Sequence, residues 1–115
     1  MFDNVLDRDI ALVNFVESDD LEQAGMELIG AITATDFEDR GDFDAGALAI
    51  TFLVLDQPAI ATEAAIIGIS TEGPKGMSSL VLQCVNAGMS GADARGALIA
   101  SAPAVRKLQE ERDAA

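Results

Sequence analysis

The chain has 115 residues, half of them hydrophobic, and a formal net charge of −13 at pH 7. That length suits one domain around one apolar core, and the apolar content excludes wholesale disorder. With no His and a single Cys, Cys84, the chain cannot by itself build a Ser-His-Asp or Cys-His site, a thiolate zinc site or an internal disulfide.

Residues 4–17 place Val5, Leu6, Ile10, Val13 and Val16 at helical spacing, and Leu12 and Phe15 widen the apolar face. Asp3 is positioned to cap this helix, with Asp7 in the first turn, where a carboxylate suits the helix dipole. The opening run Met1–Asp7 lacks the basic start and apolar stretch of a signal peptide. A second helix start follows at 18–22, where Asp19 and Glu22 have capping-box spacing. Leu21, Leu28, Ile29 and Ile32 then recur at helical spacing, with Ala24 and Gly25 small enough for another helix to approach. Residues 35–44 (Thr-Asp-Phe-Glu-Asp-Arg-Gly-Asp-Phe-Asp) read as an acidic loop turning at Gly41, with Asp44 placed to cap a helix beginning at Ala45.

Ala45–Leu55 is apolar except for Thr51. Eleven residues cannot cross a bilayer, which needs about 20, so the run belongs in a core. Pro58 ends it and can open a further helix through Ala59–Ile69, with Glu63 as its exposed residue. Helix is favoured in both runs, the alternative being a small hairpin from residues 45–71 in an α+β fold. Residues 71–76 form a loop. Met77–Ala87 reads as a helix carrying Leu80, Val81, Cys84 and Val85 on one face and stopped by Gly88. Ser90 and Asp93 start the next helix as a capping box, continued by Ala94, Ala97, Leu98 and Ser101. Pro103 then restarts the chain as a last helix, with Val105 and Leu108 and a charged, solvated end. The expected fold is all-α, about six short helices in one compact domain over 1–115, centred on Ala45–Leu55 and Ala59–Ile69.

Few constellations invite chemistry. A calcium loop from Asp36 would have Glu38 and Gly41 in place, but Arg40 and Ala47 fall where a central oxygen ligand and the bidentate Glu belong. Asp36, Glu38, Asp39, Asp42 and Asp44 read as a solvated acidic loop. Asp56 and Glu63 interrupt apolar segments and are the best candidates for a paired-carboxylate site. The plainer expectation is that Asp56 caps the helix after Pro58 and Glu63 faces water. Cys84, with no His to activate it, is expected to be a small buried hydrophobe. The stretch Val81–Ser90 followed by Ala94, Ala97 and Leu98 resembles a DNA-binding helix-turn-helix. Its second helix offers only Arg95, beside Asp93, as a donor to bases and phosphates. With −13 overall, an ordinary corner packing Leu80, Cys84, Ala94 and Leu98 is the expectation.

The charge is uneven. Residues 1–44 hold 13 acids against Arg8 and Arg40, whereas residues 45–115 hold seven acids against five bases. The acidic part repels nucleic acid and anionic membranes and attracts basic surfaces. Solubility or adaptation to salt would account for the same composition. The leading expectation is a non-enzymatic protein-interaction module, cytoplasmic and without cofactor or metal. It would be an adaptor, an assembly subunit or an inhibitor, with self-association into a homo-oligomer as a further expectation. Its partner would present a basic surface to Asp19, Asp20, Glu22, Glu27, Asp36, Glu38, Asp39 and Asp42. Direct binding to nucleic acid or membrane is not expected. The alternative is an acidic nucleic-acid mimic that blocks a DNA- or RNA-binding protein, as restriction and CRISPR antagonists do.

Overall fold

Six helices account for the regular structure of the computed structural model, which describes residues 2–34 and 44–115. They are α1 (Val5–Val16), α2 (Leu21–Thr33), α3 (Asp44–Val54), α4 (Pro58–Glu72), α5 (Met77–Asn86) and α6 (Gly91–Ala114). No strand occurs among the described residues, so both apolar runs of 45–71 are helical and the hairpin alternative is not realised. The radius of gyration, 13.4 Å, matches the roughly 13 Å expected of a compact chain of this length.

The core forms around α3, which packs against all five other helices. A helix apolar on every side suits such a position, where each face meets another helix. Ala47, Ala49, Leu53 and Val54 are buried, and so is Thr51. The Thr51 hydroxyl is satisfied within the helix, donating to the Ala47 carbonyl at 2.7 Å. Leu12, Phe15 and Val16 of α1 and Leu28 and Ile32 of α2 close over one side of α3.

Local capping sets the helix ends, one residue away from where the sequence pointed in two cases. Asn4, not Asp3, caps α1, its side chain accepting from the Asp7 amide at 2.9 Å. Asp20, not Asp19, caps α2, accepting from the Gln23 amide at 3.1 Å. Both alternatives put an Asx side chain before a helical run, and the spacing pattern tolerates a shift of one. Ser90 and Asp93 form the expected capping box of α6. Gly88 ends α5 with φ +78, the Met89 amide reaching the Cys84 carbonyl and the Gly88 amide that of Val85. The same six-residue closure ends α3. There the Gln57 amide reaches Phe52, the Asp56 amide reaches Leu53, and Asp56 takes the left-handed position at φ +61. Asp56 is therefore the C-terminal turn residue of α3 and does not cap α4, which starts at Pro58 with no side-chain cap from Gln57.

Three further expectations change. The Ala59–Ile69 run buries Ala61, Ala65 and Gly68 and packs the half-buried Ala64 against the core, while Ile60, Ile66 and Ile67 face outward. Leu80, expected inside the helix-turn-helix corner, is also exposed and Val81 is buried there in its place, while Ala94 is buried and Cys84 and Leu98 are half-buried against the core as expected. Nor does Pro103 restart the chain, because α6 runs through it. Packing on both sides outweighs the local preference. Ala102 and Val105 seat α6 on Val13, Leu6 and Ile10 of α1, and Arg106 and Arg112 reach Glu17 and Asp7. Proline still lacks the amide that would bond the Ile99 carbonyl. Pro103→Ala is expected to raise stability by about 1–2 kcal/mol, the helix-propensity gain less the lost rigidity of the unfolded chain. A higher urea midpoint at unchanged m-value would show it.

Candidate docking face

The acidic part of the sequence divides in three dimensions. The carboxylates of α1 are matched within the chain: Asp7 with Arg112 at 2.6 Å, Glu17 with Arg106 at 3.1 Å and Asp9 with Arg8 at 3.1 Å. The hydrogen bond from Arg112 to Asp7 is the main reason the guanidinium is raised above its ordinary value, with Asp113 adding to it. The carboxylates around α2 have no such partner among the described residues. Asp19 is exposed. Asp20 is engaged only by the Gln23 amide. Glu22 is exposed, and Glu27 accepts only from the Gln23 side chain at 3.0 Å. Other described carboxylates, such as Glu63, Glu110 and Glu111, are also exposed without an ion pair, but four of them fall close together in sequence only at the start and outer face of α2.

Position on the helix separates these groups. Glu22 and Glu27 lie about 140° apart around α2. Glu22 borders a groove of about 450 Å³ between α2 and the α3–α4 junction. The groove walls are Leu21, Met26, Phe52, Val54, Leu55 and Ile60, with Glu22, Asp56 and Gln57 as its polar members. Met26 is 58% and Ile60 42% exposed, so two large apolar side chains stand open to water beside two carboxylates. Glu27 faces the other flank, a shallower groove of about 370 Å³ against α1, lined by Ala11, Asn14, Phe15, Ser18, Ala24 and Leu28. Of the carboxylates around α2, Glu22 lines the first groove and Glu27 the second, while Asp19 and Asp20 precede the helix and line neither. Asp36, Glu38, Asp39 and Asp42 lie outside the described residues.

The groove's apolar walls were not singled out by sequence. Met26 carried a usable signal. It falls off the buried stripe of Gly25, Leu28 and Ile32, which marks it as exposed, although only the fold brings it beside Ile60 in one groove. Ile60 carried none, because α4 is apolar around its circumference and periodicity cannot orient such a helix. Gly25 lets Leu55, one wall of the groove, pack closely against α2. A Cβ there would stand 2.8 Å from a Leu55 methyl and 3.0 Å from the Phe15 ring.

Other candidate groups are held in structural roles. Asp44 is buried and accepts from the Phe2 amide at 3.0 Å. Glu72, at the end of α4, accepts from the Gly46 amide at 2.8 Å and the Ser78 amide at 3.1 Å. Arg95, the one cation of the helix-turn-helix-like corner, donates to the Val16 carbonyl at 2.9 Å and the Ser18 carbonyl at 3.3 Å. It closes the C-terminal end of α1, where a cation suits the helix dipole. Glu63 lies on the solvent face of α4, and Cys84 is half-buried. Among the described residues no group of three His, Cys, Asp or Glu side chains could hold a metal ion. No helix among them is long and apolar enough to cross a membrane. The chain matches no family model, no curated protein and no solved structure.

Proposed function

We propose that this chain is a protein-interaction module that docks a basic, amphipathic helix of a partner protein along α2. The observation that carries this reading is the pairing of uncompensated carboxylates with an open apolar groove. Glu22 and Asp56 line a cleft walled by Met26, Phe52, Leu55 and Ile60, and the exposed Asp19 and Asp20 stand just before Glu22 at the start of α2. Charge of one sign steers encounter and rejects wrong partners, while desolvated apolar contacts supply most of the lasting affinity. A partner helix with aliphatic side chains on one face and Lys or Arg flanking them meets both needs. The work done by such docking is that of an adaptor, an assembly subunit or an inhibitor, and it requires no chemistry from the chain. A nucleic-acid mimic would need the carboxylates but not the groove.

The test is an affinity capture from native lysate on the wild-type chain and on two variants, each eluted with rising salt. The first variant is Asp19→Asn, Asp20→Asn, Glu22→Gln and Glu27→Gln, in which the asparagine side chain introduced at position 20 keeps the helix cap. The second is Met26→Ser with Ile60→Ser. The same basic protein should bind the wild type, and the charge variant should release it at lower salt. The affinity loss should be about tenfold, from four charges on and before α2 worth a few tenths of a kcal/mol each. The groove variant should weaken binding at every salt concentration. Unchanged binding in both variants would sink the reading. Loss only in the charge variant, with duplex DNA competing for the captured protein, would replace it with the mimic.

A further inference from the structure

We infer that the outer face of α4 is a self-association surface, on which a second copy of this chain packs α4 against α4. Exposed large apolar side chains are scattered singly over α1, α2 and α5 and lie far apart on α6. On α4, however, Ile60, Ile66 and Ile67 are 42%, 58% and 56% exposed. At 100° per residue these three flank one outward stripe whose only charge is Glu63. The opposite side of the same helix is narrow: Ala61, Ala65 and Gly68 press against α3 and α5. An apolar stripe rimmed by small polar residues on an otherwise charged monomer marks a contact surface.

Charge selects the occupant. Across α4 and α5 the only ionisable charges are Glu63 and Glu72, and Glu72 is turned onto the Gly46 and Ser78 amides. This side is therefore the near-neutral part of a chain with net charge −13. A two-fold contact sets one patch against itself and so doubles whatever charge the patch carries. The α2 face would bring carboxylates together, whereas the α4 face meets its copy almost uncharged. A basic partner, conversely, is drawn to α2 and finds one carboxylate on α4. If the two helices cross antiparallel with Ile66 and Ile67 at the axis, Glu63 falls opposite Ser70 of the second copy and not opposite another Glu63.

Sedimentation velocity over a range of concentrations tests this on the full chain. The wild type should pass from the 12.0 kDa monomer to a dimer. Added salt should favour the dimer, because it screens repulsion between the copies and leaves the apolar contact intact. Ile66→Glu and Ile67→Glu should each weaken the dimer roughly tenfold or more, since each would bury a carboxylate against apolar surface. Both should keep the wild-type circular dichroism and the captured basic partner. Glu63→Gln should tighten the dimer several-fold by removing the one charge on the stripe. Leu108→Glu, on a different face, should change nothing. A wild type that stays monomeric at every concentration, or a dimer indifferent to Ile66→Glu, Ile67→Glu and Glu63→Gln, would overturn the inference. The α2 charge variant separates the two readings, because it should lose the partner yet dimerise as well as the wild type or better.

Discussion

Replacing Glu72 by alanine is expected to destabilise the protein by about 3 kcal/mol. The side chain sits at the C-terminal end of α4, where a carboxylate is disfavoured by its own helix dipole by some 0.3–1 kcal/mol. It stays because two other helices need it. One carboxylate oxygen accepts from the Gly46 amide in the first turn of α3 and the other from the Ser78 amide in the first turn of α5. Hydrogen bonds to a charged group contribute about 1.5–3 kcal/mol each, so two of them outweigh the dipole cost. Gly76, the residue before α5, offers no side-chain cap of its own. Gly76 is itself confined by the carboxylate, since a Cβ there would lie 2.7 Å from Glu72 Oε2. Glu72→Gln keeps one acceptor oxygen and should lose roughly half as much. Urea unfolding of the two variants checks both values. A loss below about 1 kcal/mol for the alanine variant would mean that water replaces the carboxylate at both amides.

Gly68→Val should cost about 3 kcal/mol, against the direction of helix propensity, which disfavours glycine by nearly 1 kcal/mol. The reason is the distance between helices. A Cβ on Gly68 would lie 2.8 Å from Ser78 Cβ and 3.0 Å from Ala45 Cβ, and would also overlap the Ser78 hydroxyl. These are stiff atoms close to backbone, so α5 must move away from α4 and open the packing around Val81. The Ser78 hydroxyl is buried and has no hydrogen-bond partner among the described residues, an arrangement that costs free energy and gains nothing but fit. Ser78→Ala alone should therefore be neutral or stabilising by up to about 1 kcal/mol. Combined with Gly68→Val it should recover part of the loss, because the methylene contact remains. Thermal melts of the two single variants and the double variant give the coupling directly.

Several features of this chain are written in short stretches of its sequence. Ser90 with Asp93, Gly88 at φ +78 and Pro58 at a helix start each act within one turn, and each appears where the local signal put it. The Asn4 and Asp20 caps were legible to within one residue, since neighbouring Asx side chains compete for the same amides. The charge asymmetry between 1–44 and 45–115 follows from counting alone.

Other properties depend on which distant residues meet, and no local pattern contains them. Arg112 reaches Asp7 across 105 positions and Arg106 reaches Glu17 across 89. Only that pairing removes α1 from the uncompensated acidic surface and leaves α2. Arg95 was legible as a lone cation, yet its engagement with the Val16 and Ser18 carbonyls comes from the way α6 crosses α1. Pro103 reads as a break because propensity is local, and it is overridden by Ala102 and Val105 on one face of a helix held at both ends. The orientation of α4 is the clearest case. Its apolar residues surround the axis, so hydrophobicity gives no preferred face. The close approach of α3 and α5 selects the small side chains, Ala61, Ala65 and Gly68, and so turns Ile60, Ile66 and Ile67 to the outside. The sequence determined that the chain is helical, acidic and without catalytic histidine. The tertiary structure decided which carboxylates and which isoleucines remain at the surface, because both depend on contacts between helices far apart in the chain.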